Sequence, residues 1–336
     1  MNSSEQNQIS PAPIMQLSTA YWGSQTLLTA NRIGVFKTLA EGGKTVEDIS
    51  RNIKTHERPT RLVLKACVAL GLLEEENGLF KNSPMSQTYL VPSSKAYLGN
   101  AIQYSDNLYD TWGNLEKACR DNKPPMEPEV YLGKNEEQTR HFVYGMHNRA
   151  LGIGTAMLSL VDLTGRKNML DVGGGPGTYS ALFTLRYPEL HSTVVDLPDI
   201  VKIASEIVSN MGADRVETVA GDYMTSDFPS GKDVVLISGV FHRETEDTCR
   251  GFIRRAADSL DSKGMFIVSD VFADKDGNSP EFATLFGINM MLTAVDGGVH
   301  ADASVASWMA DAGFENISIH HFPSPMPHRL LVGYKP

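Results

Sequence analysis

Beyond Gly165 the chain changes texture, and this change limits the possible folds more than any other feature of the sequence. Short apolar runs, NMLDVGG, HSTVVDL, RVETVAGD, DVVLISGV and GMFIVSDVF, alternate with helical-period segments such as TYSALFTLRYPEL, DIVKIASEIVSNMG and DTCRGFIRRAADSLDS. Runs of this length, rich in β-branched residues and bounded by turn formers, read as strands. Strands separated by helices need crossover connections, so residues 166–336 are expected to form a doubly wound α/β sheet. In such sheets ligands bind beyond the carboxyl ends of the strands, which makes the residues just after each run the ones to weigh.

The first run leads into Asp171-Val172-Gly173-Gly174-Gly175-Pro176-Gly177, followed by the helical TYSALFTL. Glycines here let the backbone turn tightly and approach a ligand at a helix N-terminus. As a dinucleotide fingerprint the loop fails, because counting from Gly173 and Gly175 the third glycine falls at Thr178, and Pro176 interrupts it. The pattern acid-x-Gly-x-Gly-x-Gly resembles motif I of class I S-adenosylmethionine-dependent methyltransferases, with Asp171, Gly173, Gly175 and Gly177 as cofactor residues. Asp196 ends the second run, 25 residues after Asp171, where a carboxylate is placed to accept both hydroxyls of a ribose; capping the helix at Pro198 is the alternative. Asp222, after the third run, is a candidate to accept from an adenine amino group while Tyr223 or Met224 packs on the ring, or else a turn former. Leu197 and Ser238 adjoin the same strand ends and complete the expected cofactor contacts.

The N-terminal half has a different organisation. Residues 1–13 are polar and proline-bearing and are expected to form a loose arm. From Met15 to Ala40 apolar residues recur with helical rhythm and little charge, as in a helix buried against another surface. Thr45 starts a helix, Pro59 to Leu70 forms a second that Gly71 closes, and the turn at Asn77-Gly78 joins a short hairpin. Residues 14–100 thus read as a winged helix. Seven Lys and Arg against six Asp and Glu over residues 44–81 argue against a nucleic-acid partner and for packing or dimer formation. Residues 101–165 are expected to be helical, linking the two parts and lining a pocket.

This order of features resembles the small-molecule O-methyltransferases of the plant caffeate and hydroxyindole type and their bacterial relatives. The resemblance rests on LDVGGGPGTYS, VVDLPDIV, VAGDYM, a histidine after a strand and a late AGF, and runs from about Met15 to Lys335. It implies a Rossmann-like methyltransferase domain behind a winged-helix dimerisation domain, a homodimer, S-adenosylmethionine as cofactor with S-adenosylhomocysteine as product, and a hydroxyl acceptor. By the same resemblance His242 stands at the catalytic base. A phenol, with a pKa near 10, is a weak nucleophile at neutral pH, and an imidazole in reach can take its proton.

Two departures bear on that base. The family usually has His-Asp-Trp-Ser-Asp where this chain has His242-Arg243-Glu244-Thr245-Glu246, so Arg243 is expected either to pair an anionic acceptor or to pair Glu246. In DGGVHAD His300 stands where the family often has the acid that orients the histidine, which makes His300, with His242 and Arg243, a catalytic candidate, and Asp296 and Asp302 are nearby candidates for the orienting task. Phe142, Met146, His147, Phe286, Asn289, Met290 and Met291 share apolar helices and are candidates to grip a flat acceptor, with Trp22 reaching in from a partner. His320, His321 and His328 lack a persuasive ligand spacing, and no metal is expected. A relative that methylates carbon or nitrogen, or uses the cofactor otherwise, is the alternative enzyme; a DNA-binding S-adenosylmethionine sensor is the alternative from another class.

Composition agrees with a small-molecule enzyme. The 336 residues carry 30 Lys and Arg against 40 Asp and Glu, a formal net charge of -10 that repels a phosphate backbone. No apolar run approaches a membrane span. The segment MNSSEQNQISPAP lacks the basic start and apolar core of an export signal, and three scattered cysteines match neither a disulfide framework nor a zinc site, so a cytoplasmic location is expected.

Overall fold

The computed structural model describes residues 9–127 and 131–336, and the chain divides into two units, residues 1–106 and 107–336. Most of the expected arm, residues 1–8, lies outside the described residues.

In the first unit the apolar stretch from Met15 to Ala40 is three helices rather than one: α1 (Ala12–Thr19), α2 (Tyr21–Arg32) and α3 (Val35–Thr38). The last break falls at Gly34, whose φ of 84° is a left-handed conformation that ends a helix cheaply only in glycine. α4 (Val46–Asn52) starts where Thr45 Oγ1 accepts the Asp48 N–H at 3.2 Å, a side-chain cap. α5 (Glu57–Ala69) leads to the hairpin of β1 (Leu73–Glu76) and β2 (Leu79–Asn82), turned by Asn77 and Gly78, both at positive φ. α6 (Pro84–Tyr89) and α7 (Gly99–Asn107) follow. Phe36, Ile49, Leu64, Cys67 and Phe80 form the core. α1 buries none of its residues, and Ile14, Met15, Leu17, Tyr21 and Trp22, close together in sequence, are all exposed.

The second unit begins with α8 (Tyr109–Gly113), α9 (Leu115–Asp121) and the 25-residue α10 (Glu136–Leu160), capped by Asn135. The sheet elements then alternate as expected: β3 (Asn168–Val172), α11 (Thr178–Arg186), β4 (His191–Asp196), α12 (Pro198–Asn210), β5 (Val216–Ala220), β6 (Lys232–Ser238), a 3-10 turn at Phe241–Arg243, α13 (Glu246–Ser259) and β7 (Leu260–Val271). α14 (Glu281–Thr293), α15 (Asp302–Asp311), β8 (Glu315–His321) and β9 (His328–Tyr334) complete it. The seven strands lie in the order β5-β4-β3-β6-β7-β9-β8, parallel except for β9, which runs antiparallel to both neighbours. β8 and β9 were not among the expected strands; polar residues and histidines break up the apolar pattern of β8.

Alternate residues of the central strands feed two cores: Leu170, Val235 and Ile237 pack on one face, Met169, Val234 and Leu236 on the other. The chain winds from β3 outward to β4 and β5, then returns to place β6 on the other side of β3, so the sheet reverses direction there and opens a crevice at the strands' carboxyl ends. Among the described residues no helix is long and apolar enough to cross a membrane.

Candidate active site

At that crevice the loop after β3 holds Gly173, Gly175 and Gly177, all at left-handed φ between 54° and 69°. Space is the second constraint. A Cβ on Gly173 would lie 2.8 Å from Val240 Cγ2, and one on Gly174 2.7 Å from Asp171 Cγ and 2.8 Å from Val194 Cγ1. Asp171 beneath the loop is fully buried; its Oδ2 accepts the Ser180 hydroxyl at 2.6 Å, while Oδ1 has no partner. Burial pushes its pKa up to about 7, Ser180 working against the shift and the charge of Asp196 adding to it.

Asp196 is tied to the same loop: Oδ2 accepts the Gly175 N–H and Oδ1 the Leu197 N–H, each at 2.7 Å. Burial raises its pKa, and the two N–H groups and the nearby charge of Arg243 oppose that rise. Asp222 is exposed and accepts the Met224 N–H at 2.9 Å, which is turn geometry. The Tyr223 hydroxyl donates to Glu244 Oε1 at 2.8 Å and its ring meets Phe252 edge-on, so it faces the core, whereas Met224 stays exposed. Ser238 is hydrogen-bonded to the Tyr179 hydroxyl, on the helix that follows the glycine loop.

The second cluster surrounds the 3-10 turn after β6. His242 Nδ1 lies 2.6 Å from Asp270 Oδ1 on β7, and the same carboxylate accepts the backbone N–H of His242 and that of Val271. An ionised carboxylate only accepts, so Nδ1 carries a proton, and in the neutral ring Nε2 is the nitrogen with the lone pair. Burial of Asp270 works to raise its pKa, but His242 and the Val271 N–H outweigh that and hold it below the usual range. The carboxylate bonded to His242 is therefore Asp270, not Asp296, which is exposed, nor Asp302, which pairs with Arg329. His300 bonds through Nε2 to the carbonyls of Phe241 and Glu244, at 3.1 and 3.0 Å, and so ties down both ends of the turn.

Of the two readings of Arg243, the pair with Glu246 does not form: Glu246 bonds Arg250, one helical turn on in α13. Arg243 instead lies where its charge acts on Asp196, Tyr223 and Glu244.

Of the expected acceptor residues, Phe286 meets the His242 ring edge-on at 4.9 Å, and Asn289 on the same helix accepts the Trp112 indole N–H at 2.9 Å. Met290 is almost fully buried and Met291 half-buried. On α10, Phe142 packs with Leu197 against α12, Met146 is half-buried, and His147 Nδ1 bonds Thr178 Oγ1 at 2.8 Å, beside the glycine loop. Residues 142 and 147 therefore adjoin the loop side of the crevice. His320 bonds Ser318, His321 is exposed, and His328 adjoins Asp270. Among the described residues no three His, Cys, Asp or Glu gather as a metal site.

The model of the O-methyltransferase domain matches residues 126–315, and that of the O-methyltransferase dimerisation domain residues 15–92. The chain belongs to the O-methyltransferase family. A 3-hydroxy-5-methyl-1-naphthoate 3-O-methyltransferase of Streptomyces sahachiroi is 30% identical over 97% of this chain and 95% of its own. The N,N-dimethyltransferase OxyT of Streptomyces rimosus is 28% identical over 96% of each. The structure of human N-acetylserotonin methyltransferase in complex with SAM superimposes with a TM-score of 0.88 at 23% identity, covering 100% of this chain and 99% of that one. This O-methyltransferase depends on S-adenosylmethionine, and its crevice fits that group. A Cβ at Gly173, Gly174 or Gly177 would lie within 3 Å of a neighbour, one oxygen of Asp171 is left without a partner among the described residues, and Asp196 retains lone pairs beyond its two backbone bonds.

Asp270 and the role of His300 were missed in the sequence. One signal was available for Asp270: an acid within the apolar run MFIVSDVF must be paired if the strand is buried.

Proposed function

We propose that this O-methyltransferase methylates a hydroxyl of a small aromatic metabolite, with His242 as general base. The observation that carries this reading is the 2.6 Å contact of His242 Nδ1 with Asp270, which puts the lone pair of the neutral ring on Nε2 and, with Phe286 edge-on, holds the ring in place. The names of relatives, a hydroxynaphthoate and an acetylserotonin methyltransferase among them, support an aromatic acceptor. When bound, S-adenosylmethionine supplies an electrophilic methyl group. The residues that would hold it are Gly173, Gly175 and Gly177, with Asp171 beneath them, Asp196 for the ribose, and Leu197, Asp222, Tyr223 and Ser238 around the crevice. Nε2 of His242 takes the acceptor's hydroxyl proton, and the charge that then resides on the ring is stabilised by Asp270. Phe286, Asn289 and the side chains of α10 hold the acceptor plane. Two copies of the chain pair through the apolar faces of α1 and α2.

Calorimetry with S-adenosylhomocysteine tests the cofactor site: wild type binds, and Asp196→Ala loses at least about tenfold in affinity through the lost charged hydrogen bonds. His242→Ala tests the base, which should abolish transfer to hydroxyls while cofactor affinity stays unchanged. Retained O-methylation by that variant sinks the assignment. The name of OxyT keeps an amine acceptor in view; a neutral amine needs no base, so amine methylation that survives His242→Ala would favour it.

A further inference from the structure

The loop that follows α14 is bonded to both halves of the proposed base pair. Gly298 donates its N–H to the carbonyl of His242 at 3.0 Å, and the carbonyl of His300 accepts the Ala273 N–H at 3.0 Å. Ala273 lies just beyond β7, the strand that carries Asp270, so one short loop ties the turn bearing His242 to the strand bearing its carboxylate. The near end of the loop is fixed by packing. A Cβ on Gly297 would lie 2.2 Å from the Met290 carbonyl oxygen, in the last turn of α14, and that helix also carries Phe286 against the His242 ring.

The side chain of His300 completes the junction. Its Nε2 lies 3.1 Å from the Phe241 carbonyl oxygen and 3.0 Å from that of Glu244. Both partners only accept, so Nε2 carries a proton whatever the charge of the ring. The ring is held edge-on against Trp308, with 5.1 Å between centroids. Cys249 Sγ is 3.7 Å from the same nitrogen, but burial, with the charges of Asp270 and Glu244 adding to it, pushes that thiol well above its usual range. The two therefore form no thiolate nucleophile. The thiol is instead a second and weaker donor toward the same carbonyls, at 3.7 and 3.9 Å. His300 thus bonds the backbone on either side of His242, while the imidazole of His242 is bonded by Asp270.

We propose that His300 is a positioning residue for the base: its Nε2–H, shared by the carbonyls of residues 241 and 244, sets the backbone of the turn and through it the angle at which His242 meets Asp270 and Phe286. The role requires a donor. An ionised carboxylate at residue 300 would face two carbonyl oxygens with no proton to give them, leaving both without their partner and repelling them. A histidine that acts through the backbone is therefore not exchangeable for an acid that would act on the imidazole. The effect on turnover rests on His242 being the base; the effect on the position of its ring does not.

The test uses the full-length enzyme, with isotope-labelled histidine and saturated with S-adenosylhomocysteine. The Nδ1 proton of His242, bonded to Asp270, should give a sharp downfield NMR resonance that His242→Ala removes. His300→Leu should shift or broaden it. His300→Gln, which offers an N–H to each carbonyl at similar reach, should restore it, and His300→Glu should not. With 2-naphthol or 3-hydroxy-1-naphthoate as acceptor, kcat should fall by about tenfold to a hundredfold in the Leu and Glu variants, the scale of an ångström's misplacement, and return to within about threefold in the Gln variant, while KM stays within about twofold. Unchanged affinity for S-adenosylhomocysteine, measured by calorimetry, confirms that each variant is folded. A wild type without the resonance, a wild-type resonance in His300→Leu or His300→Glu, or a His300→Gln variant no better than His300→Leu overturns the proposal. Should His242→Ala retain turnover while the resonance of the intact histidine still follows residue 300, the base assignment falls and the positioning assignment stands.

Discussion

Asp270→Asn isolates the charge behind His242. Oδ1 of Asp270 meets both His242 Nδ1 at 2.6 Å and the Val271 N–H at 2.7 Å, so the asparagine oxygen must keep that position. Its amide nitrogen then takes the place of Oδ2, facing the His242 backbone N–H at 3.3 Å, a weaker contact to lose. The imidazole tautomer is preserved and the negative charge is gone. With side chains only 13% and 2% exposed, the pair is poorly screened by bulk water. Opposite charges centred about 4 Å apart at an effective dielectric constant of 20 attract by about 4 kcal/mol. That attraction exists only once His242 has taken the acceptor's proton, so its loss should lower kcat by about a thousandfold. The assay is kcat with saturating cofactor and acceptor, beside calorimetry with S-adenosylhomocysteine, whose affinity should not move. A variant that keeps kcat within about threefold would show that proton transfer to His242 lies outside the rate-limiting step or that the base is elsewhere.

Two further outcomes follow from the glycine loop and the buried titrating groups. Gly174→Ala forces a methyl against Asp171 and Val194, both held in the core, and should destabilise the fold by about 1–3 kcal/mol in urea unfolding; an unchanged midpoint would mean the loop yields freely. Asp171 has a raised folded pKa, so its contribution is present below the unfolded value of 3.8 and is lost as pH rises through about 7. His328, lowered to about 4 from 6.5, contributes above its unfolded value and loses that contribution as pH falls. Asp171→Asn should therefore gain stability relative to wild type between pH 5 and pH 8, and a gap that does not change with pH would refute the raised pKa.

The cofactor crevice was legible because each of its parts is local. A strand, a turn with positive φ and the acid that ends the strand occupy a few consecutive residues, and their spacing survives in one dimension. The proposed base, His242, was legible only by resemblance, since nothing around HRETE distinguishes it from a helix cap. Its partner was sought in the wrong places: Asp296 and Asp302 are near in sequence to the glycine pair of DGGVHAD, whereas Asp270 is near in space. For Arg243 one of the two readings fell for a similar reason, because Glu246 has the spacing of a helical neighbour but belongs to α13, where Arg250 takes it.

The alternation of strands and helices, the glycine loop and the acids at successive strand ends determined the architecture and the cofactor crevice from the sequence alone, through hydrophobic period and backbone sterics. The tertiary structure decided what stands behind and beside His242. The register that sets Ser238 against Ser269 brings residue 242 over Asp270, and the antiparallel return of β9 pairs Asp270 with Arg329. Strand order and register are settled by the packing of two whole sheet faces, a property of the assembled core that no single segment carries.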